Sequence, residues 1–213
     1  MYDLVLFDLD GTLVNSEEGV TKTVQYALLA YGINEDNIDN LKRFIGPPLV
    51  DGFMEFYGMS KEDALGALEK YRERYKKTGV YENKLMPDTK KVLETLKDKG
   101  IRIALATSKP HVFAREILKS FDLLEYFDIL VGAEFDGTRN DKADVIKEVL
   151  AQAGEYKNPV MIGDRKHDIE GARKNNIPFI GVSFGFAPEG EFEEYGVKDV
   201  ANSMGELLQM LSC

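Results

Sequence analysis

Apolar residues along this chain follow two kinds of spacing. Short unbroken runs occur at Leu4-Val5-Leu6-Phe7, 101–106, 160–162 and 179–182, with a weaker run at 127–131. Each is bounded by Gly, Pro, Asp or Asn, so each predicts a buried strand. Between them the apolar positions recur three and four apart. Val92, Leu93 and Leu96 do so in 89–99, which Gly100 ends; Val112, Ile117 and Leu118 in 110–121; Val145, Ile146, Val149 and Leu150 in 142–153. Further helices are predicted at 168–175 and 203–211. Strands alternating with helices of this length predict an α/β fold, a parallel sheet covered on both faces.

The stretch 15–84 has a different pattern. It holds no convincing strand, and helical spacing runs through 17–31, 37–44, 48–57 and 61–78. It reads as a four-helix cap inserted after the first strand. The chain is then a discontinuous core, 1–14 with 85–213, and a helical cap, 15–84.

Composition narrows the partners. The 213 residues suffice for one sizeable core and a smaller second unit. No apolar run approaches the roughly 18 residues of a membrane span. The first residues, Met1-Tyr2-Asp3, carry no basic region and predict no signal peptide. The single cysteine, Cys213, cannot form a disulfide within the chain, which fits a cytoplasmic location. A formal charge of −10 repels nucleic acid polymers and anionic membranes. It also repels a phosphorylated metabolite at long range. A phosphate site here must therefore be built locally, from a metal ion, a lysine and backbone N–H groups.

Ligands of open α/β sheets bind beyond the carboxyl ends of the strands. Candidate chemistry gathers at those ends. Asp8 and Asp10 follow the first strand in Asp8-Leu9-Asp10-Gly11-Thr12. A turn there lets one carboxylate face a phosphorus atom while the other reaches the leaving oxygen. Gly11 permits the tight backbone, and the Thr12 hydroxyl is expected to tie the turn down. Asp164 and Asp168 follow the strand at 160–162, and carboxylates from two strand ends suit Mg²⁺. Thr107, with the backbone N–H of Ser108, can hold a phosphoryl oxygen. Lys142, opening a helix, would offset phosphate charge, with Arg139 and Lys147 as competing bases. Asp8 is then the nucleophile, and Asp10 the acid and later the base.

These motifs resemble those of the haloacid dehalogenase superfamily of phosphatases. Asp8-Leu9-Asp10-Gly11-Thr12 looks like its first motif, Thr107 the second, Lys142 the third, and Gly163-Asp164 through Asp168 the fourth. The resemblance implies a Rossmann-like, doubly wound core with a helical cap. It implies Mg²⁺ held by the Asp8 and Asp164 carboxylates and the Asp10 backbone carbonyl, with Asp168 in or near the second shell. The segments Phe44 to Leu49 and Gly181 to Phe186 resemble the phosphoglycolate phosphatase-like branch, in which some similar proteins are nucleoside 5′-monophosphatases. The implied reaction is hydrolysis of a small phosphomonoester, phosphoglycolate or a nucleoside 5′-monophosphate, through an aspartyl-phosphate.

Arg43, beside Lys42 and ahead of Gly46-Pro47-Pro48, is a candidate substrate contact, with a helix connection as the competing role. His111 and His167 read as surface or helix-start residues, and 189–194 as a solvated acidic face. Two other functions share the motif set. A phosphomutase or phosphotransferase would pass the group to a sugar phosphate instead of water. A phosphoacceptor signalling module would not turn over, but such modules lack the helical insertion. Dehalogenation needs neither Asp10 nor a metal, so the presence of Asp10 and Asp164 argues against it.

Overall fold

A computed structural model describes residues 2–135, 138–139 and 141–212. Cys213 and Asp136 therefore lie outside the described residues. The chain divides into two compact units, 1–15 with 85–213, and 16–84.

The first unit is built on a six-stranded parallel sheet. Its strands are β1 (Leu4–Phe7), β4 (Arg102–Pro110), β5 (Ile129–Ala133), β6 (Pro159–Gly163), β7 (Phe179–Val182) and β8 (Val200–Ala201), in the order β5-β4-β1-β6-β7-β8. Two-residue strands β2 (Val14–Asn15) and β3 (Lys84–Leu85) form a separate ribbon. Leu4, Val5, Leu6 and Phe7 are all fully buried, as are Val160, Met161 and Ile162. Strands covered on both faces need such unbroken apolar runs.

From β1 the chain passes to β4 and β5 on one side, then crosses back to β6 and on to β7 and β8. Right-handed crossovers in opposite directions put their helices on opposite faces. So α5 (His111–Ser120) and α6 (Lys142–Ala153) cover different sides, with α7 (Lys166–Lys174) packed beside α6. Leu4, Leu6, Ala104 and Met161 form one core with Val145, Ile146 and Val149 of α6 and Ala172 of α7. The remaining helices of this unit are α4 (Thr89–Asp98), α8 (Glu191–Glu194) and α9 (Met204–Ser212). The strand order reverses beside β1, and at such a switch point ligands bind beyond the carboxyl ends of the strands.

Three elements differ from the pattern-based expectation. The strand expected at 101–106 extends to Pro110. The strand expected at 127–131 begins two residues later. A 3₁₀ turn occupies Leu124–Tyr126, and the Asp128 carboxylate accepts from Ile103 N at 2.9 Å. The third, β8, is two residues long, too short to carry a pattern.

The second unit holds α1 (Glu17–Leu29), α2 (Leu49–Tyr57) and α3 (Lys61–Lys77). The helix expected at 37–44 is a 3₁₀ segment, Ile38–Phe44, so three α-helices stand where four were expected. Asp39 and Asn40 are poor helix formers, and the Gly-Pro-Pro that follows stops propagation. Gly19 lets α1 approach the Gly79 carbonyl so closely that a Cβ would sit 2.3 Å from it. Arg74 bonds Glu82 at 2.8 and 3.1 Å and Thr23 at 2.7 Å, pinning the end of α3 to α1. Phe44 packs on Phe53 and Phe56 at ring distances of 5.1 and 5.3 Å.

Candidate active site

The register of the central strands determines which residues meet. Phe7 pairs with Leu105 on one side and Ile162 on the other. The next residues along the three strands are therefore Asp8, Ala106 and Gly163, followed by Thr107 and Asp164. Asp8 continues the alternation of Leu4 and Leu6, which face α6. The first residue of α6 is Lys142. Its Nζ lies 2.6 Å from Asp8 Oδ1, 2.8 Å from Asp168 Oδ1 and 3.0 Å from the Ala106 carbonyl. Lys142 is buried, whereas Lys147 is exposed and Arg139 is engaged with Gly132 O and Glu134.

Asp8, Asp164 and Asp168 are all buried and offer carboxylate oxygens within 4.8 Å of one another. Asp164 Oδ2 accepts from Phe186 N at 2.6 Å, while its buried Oδ1 has no hydrogen-bond partner among the described residues. Asp168 spends Oδ2 on Arg165 N at 3.1 Å, in the first turn of α7, so it closes that helix start as well as meeting Lys142. A buried polar atom without a partner is costly. Three carboxylates against one ammonium also leave an excess of buried negative charge. An oxygen-only, over-charged donor set fits a hard divalent cation such as Mg²⁺.

The ionisation of these groups follows from the same crowding. Burial pushes the Asp8 carboxyl up to about 6; Lys142 opposes this, and Asp168 and Asp10 add to it. Burial, then Asp168 and Asp8, hold Asp164 well above the usual carboxylate range. Burial alone would pull Lys142 down, but the Asp168 and Asp8 carboxylates outweigh it and raise its pKa. A cation bound here must therefore displace protons. Mg²⁺ is expected to raise the melting temperature near neutral pH, and the shift should shrink as the pH falls through about 6. Differential scanning fluorimetry with and without MgCl₂ at several pH values measures this; a shift independent of pH would argue against ligation by these carboxylates.

The other candidates are placed as follows. Thr107 is buried in β4, and its Oγ1 accepts from Lys109 N at 3.2 Å. The β4–β5 ladder loses register here: Ala106 pairs with Val131 but Pro110 with Ala133, so the Thr107-Ser108-Lys109 turn bulges out of the sheet. Ser108 is half-buried in that bulge. The Asp10 carboxylate meets Lys109 Nζ at 2.7 and 3.0 Å. The Thr12 hydroxyl does not tie down the turn: it is buried without a hydrogen-bond partner among the described residues. Backbone bonds do that instead, with Leu13 N and Val14 N donating to Leu9 O at 2.9 and 3.0 Å. Arg43 lies in the second unit, where its guanidinium sits 4.2 Å from the centroid of the Phe56 ring.

Sequence reasoning missed three participants. No pattern in the sequence singles out Lys109. The loop after β7 stands out only by its resemblance to one branch of the family. Yet Gly11 and Gly185 enclose Asp164: added Cβ atoms would sit 2.0 and 2.5 Å from its Oδ2. Glu191, placed on a solvated face, is buried and accepts from Lys166 N at 2.8 Å and Arg165 Nε at 3.1 Å. A four-residue helix gives no periodicity by which to separate Glu191 from its exposed acidic neighbours. His167 stands in the first turn of α7, half-buried.

A family model described as haloacid dehalogenase-like hydrolase matches residues 5–182. A curated protein of Pseudomonas aeruginosa named 5′-nucleotidase is 42% identical over 211 residues, 99% of this chain and 96% of its own. The tyrosine-protein kinase PtkA of Mycobacterium tuberculosis is 36% identical over 185 residues, 86% of this chain and 62% of its own length. Among solved structures, a protein described as a predicted phosphatase from Clostridium acetobutylicum matches with a TM-score of 0.94 at 42% identity, covering 100% of this chain and 99% of that one.

Proposed function

We propose, from the premise that this chain belongs to the haloacid dehalogenase-like hydrolases, that it is a Mg²⁺-dependent phosphatase of small phosphomonoesters. The reading rests on one observation above the others. Lys142 is bonded to Asp8 and paired with Asp168, and Asp164, buried beside them, keeps an oxygen with no hydrogen-bond partner among the described residues. Three buried carboxylates gathered against one ammonium carry more negative charge than that lysine offsets, and a bound cation would balance it.

Asp8, Asp164 and the backbone carbonyl of Asp10 would hold the metal, with Asp168 beside them. Mg²⁺, when bound, neutralises an incoming phosphate and polarises a phosphoryl oxygen. Thr107 and the N–H of Ser108 would receive another phosphoryl oxygen, and Lys142 fixes the rotation of the Asp8 carboxylate. Asp8 would then attack phosphorus. A new P–O bond forms as the ester P–O bond breaks, and the leaving oxygen takes a proton from Asp10. Water, giving its proton to Asp10, would then cleave the aspartyl-phosphate and restore Asp8.

The substrate in this reading is phosphoglycolate or a nucleoside 5′-monophosphate, and Arg43 enters it as a substrate contact. The 5′-nucleotidase name of a relative supports the second compound class. A phosphate-release screen over phosphoglycolate, nucleoside monophosphates and sugar phosphates tests it. The expected result is Mg²⁺-dependent catalytic release from one of the first two classes, with a lower kcat/KM on that substrate for R43A. No release from any monoester in the presence of Mg²⁺ would refute the reading. The kinase name of another relative favours one second reading, transfer to an acceptor other than water. In that case the leaving alcohol would be released only in an amount stoichiometric with enzyme, with no free phosphate, until an added acceptor takes the phosphoryl group from Asp8.

A further inference from the structure

We propose that Lys109 is a positioning residue that holds Asp10 in register with the turn that receives the phosphoryl group; this rests on the phosphatase reading above. Its ammonium bridges both oxygens of Asp10, at 2.7 and 3.0 Å. The pair is largely shielded, with side-chain exposures of 8% for Lys109 and 15% for Asp10. Shielding strengthens such a contact relative to a surface pair.

The other end of Lys109 is anchored too. Its backbone N–H donates to Thr107 Oγ1 at 3.2 Å, within the stretch of β4 that bulges away from β5. One residue thus joins the hydroxyl proposed to hold the phosphoryl group to the carboxylate proposed to serve the ester oxygen. Those oxygens share one phosphorus atom, so the distance between their protein partners has to be held. Asp10 lies three positions beyond the end of β1, where its backbone makes an isolated bridge to Val14. A bidentate ammonium selects one orientation, and small misplacements of a catalytic group are costly.

A residue that acts only through Asp10 should have no effect once Asp10 is disabled. K109M is expected to lower kcat on an alkyl phosphate by about 10- to 30-fold with little change in KM. In a D10N background the same substitution is expected to cost less than about 2-fold. A second readout separates positioning from general damage. With p-nitrophenyl phosphate, K109M should release a burst of about one equivalent of p-nitrophenol and then turn over slowly. That leaving group departs without a proton, whereas the aspartyl-phosphate still needs Asp10 to activate water. K109R should restore most of the activity.

Equal losses from K109M in the wild-type and D10N backgrounds would overturn the proposal, as would a loss under about 3-fold in the wild type. D10N turning over like the wild type would instead overturn the catalytic reading of Asp10. If K109M does not melt cooperatively, K109L, which likewise has no donor, carries the same expectations.

Discussion

Asp8→Asn is expected to cut phosphate release by at least about 10⁴-fold while leaving the fold intact. The amide is nearly the same size and still offers Lys142 an oxygen to bond, but it has no anionic oxygen with which to attack phosphorus. The stability side is unusual for a buried charge bonded at 2.6 Å. Burial raises the Asp8 carboxyl from 3.8 to about 6 in spite of Lys142. The unfolded chain therefore loses this proton at lower pH than the folded one. Between those two values the fold binds more protons, so stability falls as the pH rises from about 4 to about 6, and it stays lower above that. The charged Asp8 thus costs the metal-free protein on the order of 3 kcal/mol at neutral pH. D8N removes that cost. Its melting temperature in EDTA should equal or exceed that of wild type near neutral pH, and the advantage should vanish near about pH 4. Melting curves and a phosphate assay on the same preparations measure both. Retention of turnover within about tenfold of wild type would eliminate Asp8 as the nucleophile.

What the sequence made legible follows physical signal strength. The central strands could be read because both faces of β1 and β6 are buried, and burial on both faces demands unbroken apolar runs. Asp8, Lys142, Asp164 and Asp168 could be read because each follows a strand or opens a helix, and the parallel register then brings them together. Features set by tertiary contact were not legible. Nothing local marks Lys109 as the partner of a carboxylate 99 positions away. Nothing local separates Glu191 from Glu193 and Glu194, although only Glu191 turns inward. The Thr12 hydroxyl shows the reverse error. Its turn chemistry is plausible locally, but Leu9 O already takes the nearby donors. In the second unit, the spacing at 37–44 has helical periodicity, yet it cannot distinguish a 3₁₀ turn from an α-helix over so few residues.

Asp164→Asn is the other substitution with a large expected effect, and it separates metal binding from the nucleophile. Asp164 is held from three directions. Gly11, at φ +82°, and Gly185 leave no room for a Cβ beside it, and Phe186 N donates to Oδ2 at 2.6 Å. These contacts commit Oδ2, while Oδ1 has no hydrogen-bond partner among the described residues, in a carboxylate that lies within 4.8 Å of those of Asp8 and Asp168. An asparagine has two ways to sit in that cage. With its oxygen toward Phe186 N, it turns an NH₂ group toward the cation site. With its NH₂ toward Phe186 N, it sets donor against donor, and the remaining oxygen carries no charge. Either way a charged ligand is lost. The apparent Mg²⁺ affinity is therefore expected to fall by at least about 10²-fold, and kcat/KM at fixed Mg²⁺ by about 10³-fold. The same change removes a buried carboxyl held well above its ordinary range, so the metal-free variant should melt no lower than wild type near neutral pH. At an Mg²⁺ concentration that half-saturates the wild type, Mg²⁺ should then barely raise its melting temperature. Isothermal titration with MgCl₂ reads the affinity without reference to activity. An unchanged affinity in D164N would mean that the caged oxygen faces something other than a cation, and the metal assignment would fail even if D8N were inactive.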